Sequence, residues 1–178
     1  MPSLAHRTPQ VSDQRAVYLV RHALAGERGS WAGPDALRPL TATGWRQATA
    51  LLEVLLPAGV RRFVSSPSTR CRDTLIPAAH AAGLEVEDDP LLFEDQEPQG
   101  PKEARDRLAK LLGTGPGPVA ACTHGNLMLA FVAAAGGKSP RCPKGGVWRL
   151  ELNGGGGDWA SPLYLGRLDP QQLSWRAE

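Results

Sequence analysis

Ala16-Val17-Tyr18-Leu19-Val20-Arg21-His22 is a compact apolar run, rich in strand formers, that stops abruptly on two basic side chains. A run this short and unbroken reads as a buried strand ending at a functional edge. The chain repeats the unit twice. Arg61-Arg62-Phe63-Val64-Ser65 ends in Ser66-Pro67 with Arg70 close behind, and Val119-Ala120-Ala121-Cys122 ends in Thr123-His124-Gly125-Asn126. Helical patterns lie between these strands. Ala48, Leu51, Leu52, Leu55 and Leu56 recur at i, i+3, i+4, i+7 and i+8, one apolar stripe with Thr41 as N-cap and Pro57 and Gly59 as the stop. Pro67 is placed to open a helix running to about Ala82, interrupted at Pro77. Ala104, Leu108, Leu111 and Leu112 mark another helix, and an apolar one follows Asn126 to about Ala135. Residues 84–100 read as an acidic, turn-rich connection. Gly146–Leu152 and Pro162–Leu168 read as two weaker strands, with Gly154–Gly157 as the turn between them.

Alternating strands and helices, with unbroken apolar strands, predict a three-layer α/β/α sandwich around a mostly parallel sheet. Ligands bind such sheets beyond the carboxyl ends of the strands. Arg21-His22, Ser65-Ser66 with Arg70, and Thr123-His124 are therefore expected to face one crevice.

The 178 residues suit a single domain, read as 16–178 behind a flexible polar arm at 1–15. Lys and Arg number 20 against 18 Asp and Glu, a net charge of +2 that argues against a nucleic-acid footprint or an anionic membrane partner. Cys71, Cys122 and Cys142 make an odd count without a CxxC pair, so neither a disulfide framework nor a zinc site is expected. The first fifteen residues hold no apolar leader and the longest apolar run, Leu127 to Ala135, is too short to span a bilayer, so the expected location is cytoplasmic.

Two guanidiniums converging on two imidazoles repel a metal cation but suit a dianionic phosphoryl group, whose oxygens match arginine's planar fork. Neighbouring cations disfavour imidazolium, so His22 is expected to be neutral and nucleophilic. A neutral ring nitrogen attacks phosphorus and holds the group as phosphohistidine. Arg21, Arg70 and His124 stabilise charge on the non-bridging oxygens, and backbone N–H groups at the helix start after Ser66-Pro67 add to the field. This scheme requires no metal or cofactor.

Val20-Arg21-His22-Ala23 resembles the RHG signature of the histidine phosphatase (phosphoglycerate mutase-like) superfamily. Leu40-Thr41-Ala42-Thr43-Gly44-Trp45-Arg46-Gln47-Ala48 resembles its L-[ST]-x-x-G-x-x-Q-A stretch, Ser65 to Arg70 with Thr74 its SSPxxR segment, and Thr123-His124-Gly125 its late histidine block. The resemblance implies a phosphoglycerate mutase-like fold, His22 as the phosphorylated nucleophile, and Arg21, Arg70 and His124 as the phosphate pocket. Ser66 is a further candidate phosphate contact. Glu94 resembles the family's general acid by position, with Asp95 and Glu97 as rivals. Ala23 replaces the signature glycine, and the short interval between His22 and His124 leaves little room for a large cap. The chain is thus most similar to the short SixA-type phosphohistidine phosphatases, and also to the phosphatase module fused to some MutT-type Nudix hydrolases.

These features favour phosphohistidine on a protein as the substrate, because an imidazole leaving group needs little help from an acid. A small-molecule phosphatase for nucleotides or sugar phosphates is the alternative, and a catalytically silent phospholigand-binding module a third reading. Arg28 and Trp31 are candidates for a substrate rim. Cys71 and Cys122 read as buried filler.

Overall fold

A computed structural model of the protein describes residues 15–113, 117–138, 140–153, 158–169 and 175–176. The stretch 1–14, read as an arm, and the turn at Gly154–Gly157 lie outside the described residues. Among them no helix is long and apolar enough to cross a membrane.

Strands β1 (Ala16–Arg21), β2 (Arg62–Ser65), β3 (Val86–Asp88), β4 (Val119–Thr123), β5 (Val147–Glu151), β6 (Leu163–Leu168) and β7 (Trp175–Arg176) form one sheet in the order β3-β2-β4-β1-β5-β6-β7. The first four in that order pair in parallel, and β5, β6 and β7 add an antiparallel flank. The helices are α1 (Ala42–Ala50), α2 (Leu52–Leu55), α3 (Thr69–Ala81), α4 (Pro101–Leu112) and α5 (Gly125–Ala134). This is the expected α/β sandwich, with no large cap among the described residues.

The alternation of side chains along each strand builds two cores. Val17, Leu19, Val64, Val119, Ala121 and Leu150 face α4 and α5, meeting Leu108, Leu111, Met128 and Phe131. Ala16, Tyr18, Val20, Phe63, Ala120 and Cys122 face the other way, onto Leu51, Leu55, Cys71, Leu75 and Ala78 of the α1–α3 layer. Because both faces are covered, β1 and β4 carry no outward polar residue before their last positions, which is why their runs read so clearly.

Several expectations need correction. The segment 84–100 contains β3, a three-residue edge strand whose Glu87 and Asp88 are exposed. A strand with one neighbour and little burial leaves no apolar signature. Strand β7, two residues long, leaves none either. The helix after Thr41 is two helices, broken where the Leu51 N–H turns to the carbonyl three residues back, on Ala48, at 3.3 Å. Leu51 and Leu55 are buried beyond the break but Leu56 is exposed, so the apolar stripe is narrower than its spacing implies. Helix α3 begins at Thr69 with Ser68 as N-cap, and Pro77 sits inside it without ending it.

Helix α1 docks onto the loop leaving β1. The Thr41 hydroxyl accepts from the Gly44 N–H at 3.1 Å as an N-cap and donates to the Leu24 carbonyl at 3.1 Å. Gln47 Oε1 accepts from the Leu24 N–H at 2.9 Å. The approach is so close that a Cβ on Gly44 would lie 2.0 Å from the Leu24 carbonyl oxygen. Alanine normally stabilises a helix interior by about 1 kcal/mol over glycine. Gly44→Ala is expected to do the opposite, costing roughly 1–3 kcal/mol or more through backbone displacement, read as a lowered urea midpoint. A midpoint at or above that of the native protein would disprove the contact.

Candidate active site

The parallel register brings three strand ends level. The His22 N–H donates to the Thr123 carbonyl at 3.0 Å, and the Ser66 N–H to the Cys122 carbonyl at 2.9 Å. The ends of β1 and β2 are therefore tied to the end of β4, which lies between them. His22 and His124 face each other there with ring centroids 5.5 Å apart. Arg21, His22, Arg70, Glu94 and His124 all line one cavity of about 500 Å³.

Arg70 is completely buried. Its Nη1 donates to the Asp35 carbonyl at 2.7 Å, and its Nη2 lies 3.1 Å from the Asp35 carboxylate, 3.2 Å from Glu94 and 3.4 Å from His124 Nδ1. A guanidinium only donates, so His124 Nδ1 accepts here, which leaves the proton on Nε2. That nitrogen is 2.9 Å from Ser66 Oγ. Glu94 Oε2 lies 3.8 Å from His124 Nδ1, and Phe93 packs edge-on against the same ring. Arg21 donates to the Cys142 carbonyl. The Nε–H groups of Arg21 and Arg70 are buried without an acceptor among the described residues.

His22 is held differently. Its Nδ1 is 2.8 Å from the Ala23 carbonyl, an oxygen that only accepts, so Nδ1 carries the proton and Nε2 a free lone pair. Burial pulls the ring's pKa down to about 3. The bond to Ala23 opposes this, and Arg70, His124 and Arg21 reinforce it. The nucleophile expected from sequence is thus uncharged at neutral pH.

Other candidates are placed as follows. Ser66 is fully buried behind His124, where its hydroxyl holds the ring, and it is not part of the cavity wall. The first residues of α5, Gly125 and Asn126, line the cavity together with Arg70 from the start of α3. Glu94 bonds Arg70, whereas Asp95 is exposed and bonds Gln96, and Glu97 is exposed and reaches Asn126 at 3.4 Å. Arg28 lines the cavity and pairs with Asp35 and Glu94. Trp31 lies off it, with its indole N–H donating to the Pro34 carbonyl at 2.9 Å. Cys71 and Cys122 are fully buried, as expected. Among the described residues no group of three His, Cys, Asp or Glu is placed to hold a metal ion.

Sequence reasoning missed Asp35, Arg38 and Lys144. Asp35 anchors Arg28, Arg38 and Arg70. Burial opposes its charge, but the bond from Arg38 and the field of Arg70, Arg38 and Arg28 hold its carboxyl at about 2. Arg38 and Lys144 line the cavity. Asp35 opens a single 3-10 turn (Asp35–Leu37), and Arg38 and Lys144 sit in irregular segments, all too short for periodicity to give a signal. Asp35 lies five residues before Leu40-Thr41, close enough to the quoted motifs to have been weighed as a partner for an arginine.

Comparisons with known proteins bear on the family and the fold. Residues 17–110 match the model of the histidine phosphatase superfamily (branch 1). The chain is 32% identical over 159 residues to an 8-oxo-(d)GTP phosphatase of Mycolicibacterium smegmatis, covering 84% of this chain and 49% of that protein. It therefore spans about half the length of that curated relative. Among solved structures it is similar in fold to the protein histidine phosphatase SixA complexed with tungstate, at a TM-score of 0.66 and 21% identity, covering 89% of this chain and 99% of the other. It is also similar to a mycobacterial glucosyl-3-phosphoglycerate phosphatase, at a TM-score of 0.61 and 21% identity over 83% and 96% of the two chains. The family model spans the strand that presents His22 and the helix that presents Arg70, and on that match the chain belongs to the histidine phosphatase superfamily, branch 1.

Proposed function

We propose that the protein is a phosphohydrolase that passes a phosphoryl group from its substrate to His22 Nε2 and then to water. The observation that carries this reading is the pair formed by an uncharged His22 and the guanidiniums of Arg21 and Arg70 in one cavity. The Nε2 lone pair attacks phosphorus, the P–O bond breaks, and the leaving oxygen takes the electron pair. Arg21 and Arg70 hold the non-bridging oxygens, which would give their unpaired Nε–H groups the acceptor they lack. His124 braces the Arg70 guanidinium through Nδ1, with Ser66 fixing its ring. Glu94 is the carboxyl proposed to protonate a basic leaving oxygen. Water then attacks phosphorus and breaks the P–N bond, restoring neutral His22.

The substrate we favour is a phosphorylated small molecule. The likeness to an 8-oxo-(d)GTP phosphatase supports a nucleotide. Phosphohistidine on a protein is the second reading, supported by the absence of a cap among the described residues.

With p-nitrophenyl phosphate in EDTA, the protein is expected to turn over and, after an acid-free quench, to carry phosphate on a histidine. His22→Ala is expected to lose at least ~10³-fold in kcat, and near-native turnover by that variant would refute the role. Glu94→Gln is expected to slow alkyl phosphates at least ~10²-fold, and more than p-nitrophenyl phosphate, whose phenolate leaves easily. Equal losses on both would remove Glu94 as the acid.

The neutral His22 also has a thermodynamic signature. Its pKa falls from 6.5 to about 3 on folding, so between those values the unfolded chain binds the extra proton and stability declines as pH falls. From pH 7 to pH 4.5 this group accounts for about 2–3 kcal/mol of lost stability. His22→Gln is expected to flatten the urea-measured slope by that amount, and an unchanged slope would place the ring's folded pKa near its ordinary value.

A further inference from the structure

The cavity is rich in cations, and one of them stands apart from the carboxylates that offset the rest. Five cations, Arg21, Arg28, Arg38, Arg70 and Lys144, line it against two carboxylates, Glu27 and Glu94. Four of the five have partners. Arg28 pairs with Asp35 and Glu94, Arg38 with Asp35 and the Gly26 carbonyl, Arg70 with Asp35 and Glu94, and Arg21 with the Cys142 carbonyl. Lys144 differs. Among the described residues no carboxylate lies within ion-pairing distance of its ammonium and no acceptor bonds it. Partial burial lowers its pKa, as do Arg21, Arg38 and Arg70, and only Glu27 acts the other way.

The backbone is built to keep Lys144 there. The Gly145 N–H lies 3.2 Å from the carbonyls of both Arg21 and His22, and the Gly146 carbonyl accepts from the Arg21 N–H at 3.0 Å. Gly145 adopts φ +74°, the left-handed region open to glycine, and a Cβ there would press on Gln47 at 3.2 Å. Gln47 Nε2 donates to the Lys144 carbonyl at 3.3 Å. The loop before β5 is thus clamped to the nucleophile's own strand, with an unpaired cation among other cations. Such an arrangement costs stability and becomes favourable only when an anion arrives.

Resting on the phosphohydrolase reading, we propose that Lys144, with Arg38 beside it, forms a subsite for a second phosphate bonded through oxygen to the scissile one, so that the substrate class is a phosphoanhydride such as a nucleoside di- or triphosphate. His22 Nε2 attacks the terminal phosphorus and the bond from that phosphorus to the bridging oxygen breaks. The electron pair stays on the departing phosphate, whose new negative charge Lys144 faces. Water then cleaves the P–N bond and gives inorganic phosphate. An anhydride leaves as a stable anion and has little need of a proton from Glu94, whereas it gains directly from a cation at the leaving group.

Titration calorimetry with inorganic phosphate and inorganic pyrophosphate, in EDTA, tests the subsite. The native protein is expected to bind pyrophosphate at least ~10-fold more tightly than phosphate, since a nearby charge–charge contact is worth about that factor. In Lys144→Ala that preference is expected to fall to about 3-fold or less, in Lys144→Arg to persist, and in the exposed-helix control Lys110→Ala to stay as in the native protein. No preference in the native protein, its survival in Lys144→Ala, or an equal loss in Lys110→Ala would each overturn the proposal. The same titrations in His22→Ala, which cannot form the phosphoenzyme, read these ratios apart from turnover of pyrophosphate. Failure of the phosphohydrolase reading would appear as activity surviving in His22→Ala, with the binding ratios unaffected.

Discussion

The arrangement depends on one buried cation. Among the described residues Arg70 is the largest side chain buried completely, and a guanidinium is a fixed cation. Burying it is tolerable only with close partners. Those partners, the carbonyl and carboxylate of Asp35, Glu94 and His124 Nδ1, belong to three separate chain segments. Satisfying Arg70 therefore draws the loop after β1, the turn after β3 and the end of β4 onto the start of α3. The same cation contributes to keeping His22 neutral. One charge thus links the folding of the cavity to the reactivity of its nucleophile.

The sheet divides the labour. Its parallel half presents the two histidines and the buried arginine, because parallel strands place all their carboxyl ends on one side. Its antiparallel flank brings the loop at Lys144–Gly146 back to that edge, against the carbonyls of Arg21 and His22. Thr74 adds a further tie, accepting from the Ala23 N–H at 2.9 Å while donating to the Arg70 carbonyl at 2.6 Å. The residues expected to react stand on backbone held from both sides, and the variable chemistry lies in loops between.

Much of this was legible because burial on both faces erases polar residues from β1 and β4, leaving runs that end sharply on Arg21-His22 and Thr123-His124. The convergence of those ends followed from topology alone. The edge strand β3 was not legible, since one neighbour and an exposed acidic face impose no pattern on three residues. Nor were Asp35, Arg38 and Lys144, whose positions come from turns and tertiary contacts that act over long separations. Ser66 was read as facing the ligand because its motif adjoins the cavity. The structure turns its hydroxyl to His124 instead, a distinction that only side-chain direction decides.

The cluster of cations in the cavity bears on how such an enzyme would let go. Guanidiniums that grip a phosphoryl dianion grip free orthophosphate by the same oxygens, and nothing about the departed half of the substrate loosens them. Egress of the mineral product would then compete with chemistry as the slow event of the cycle. Dissolved phosphate in the surroundings would act as a brake, throttling throughput whenever it accumulates and releasing it on depletion.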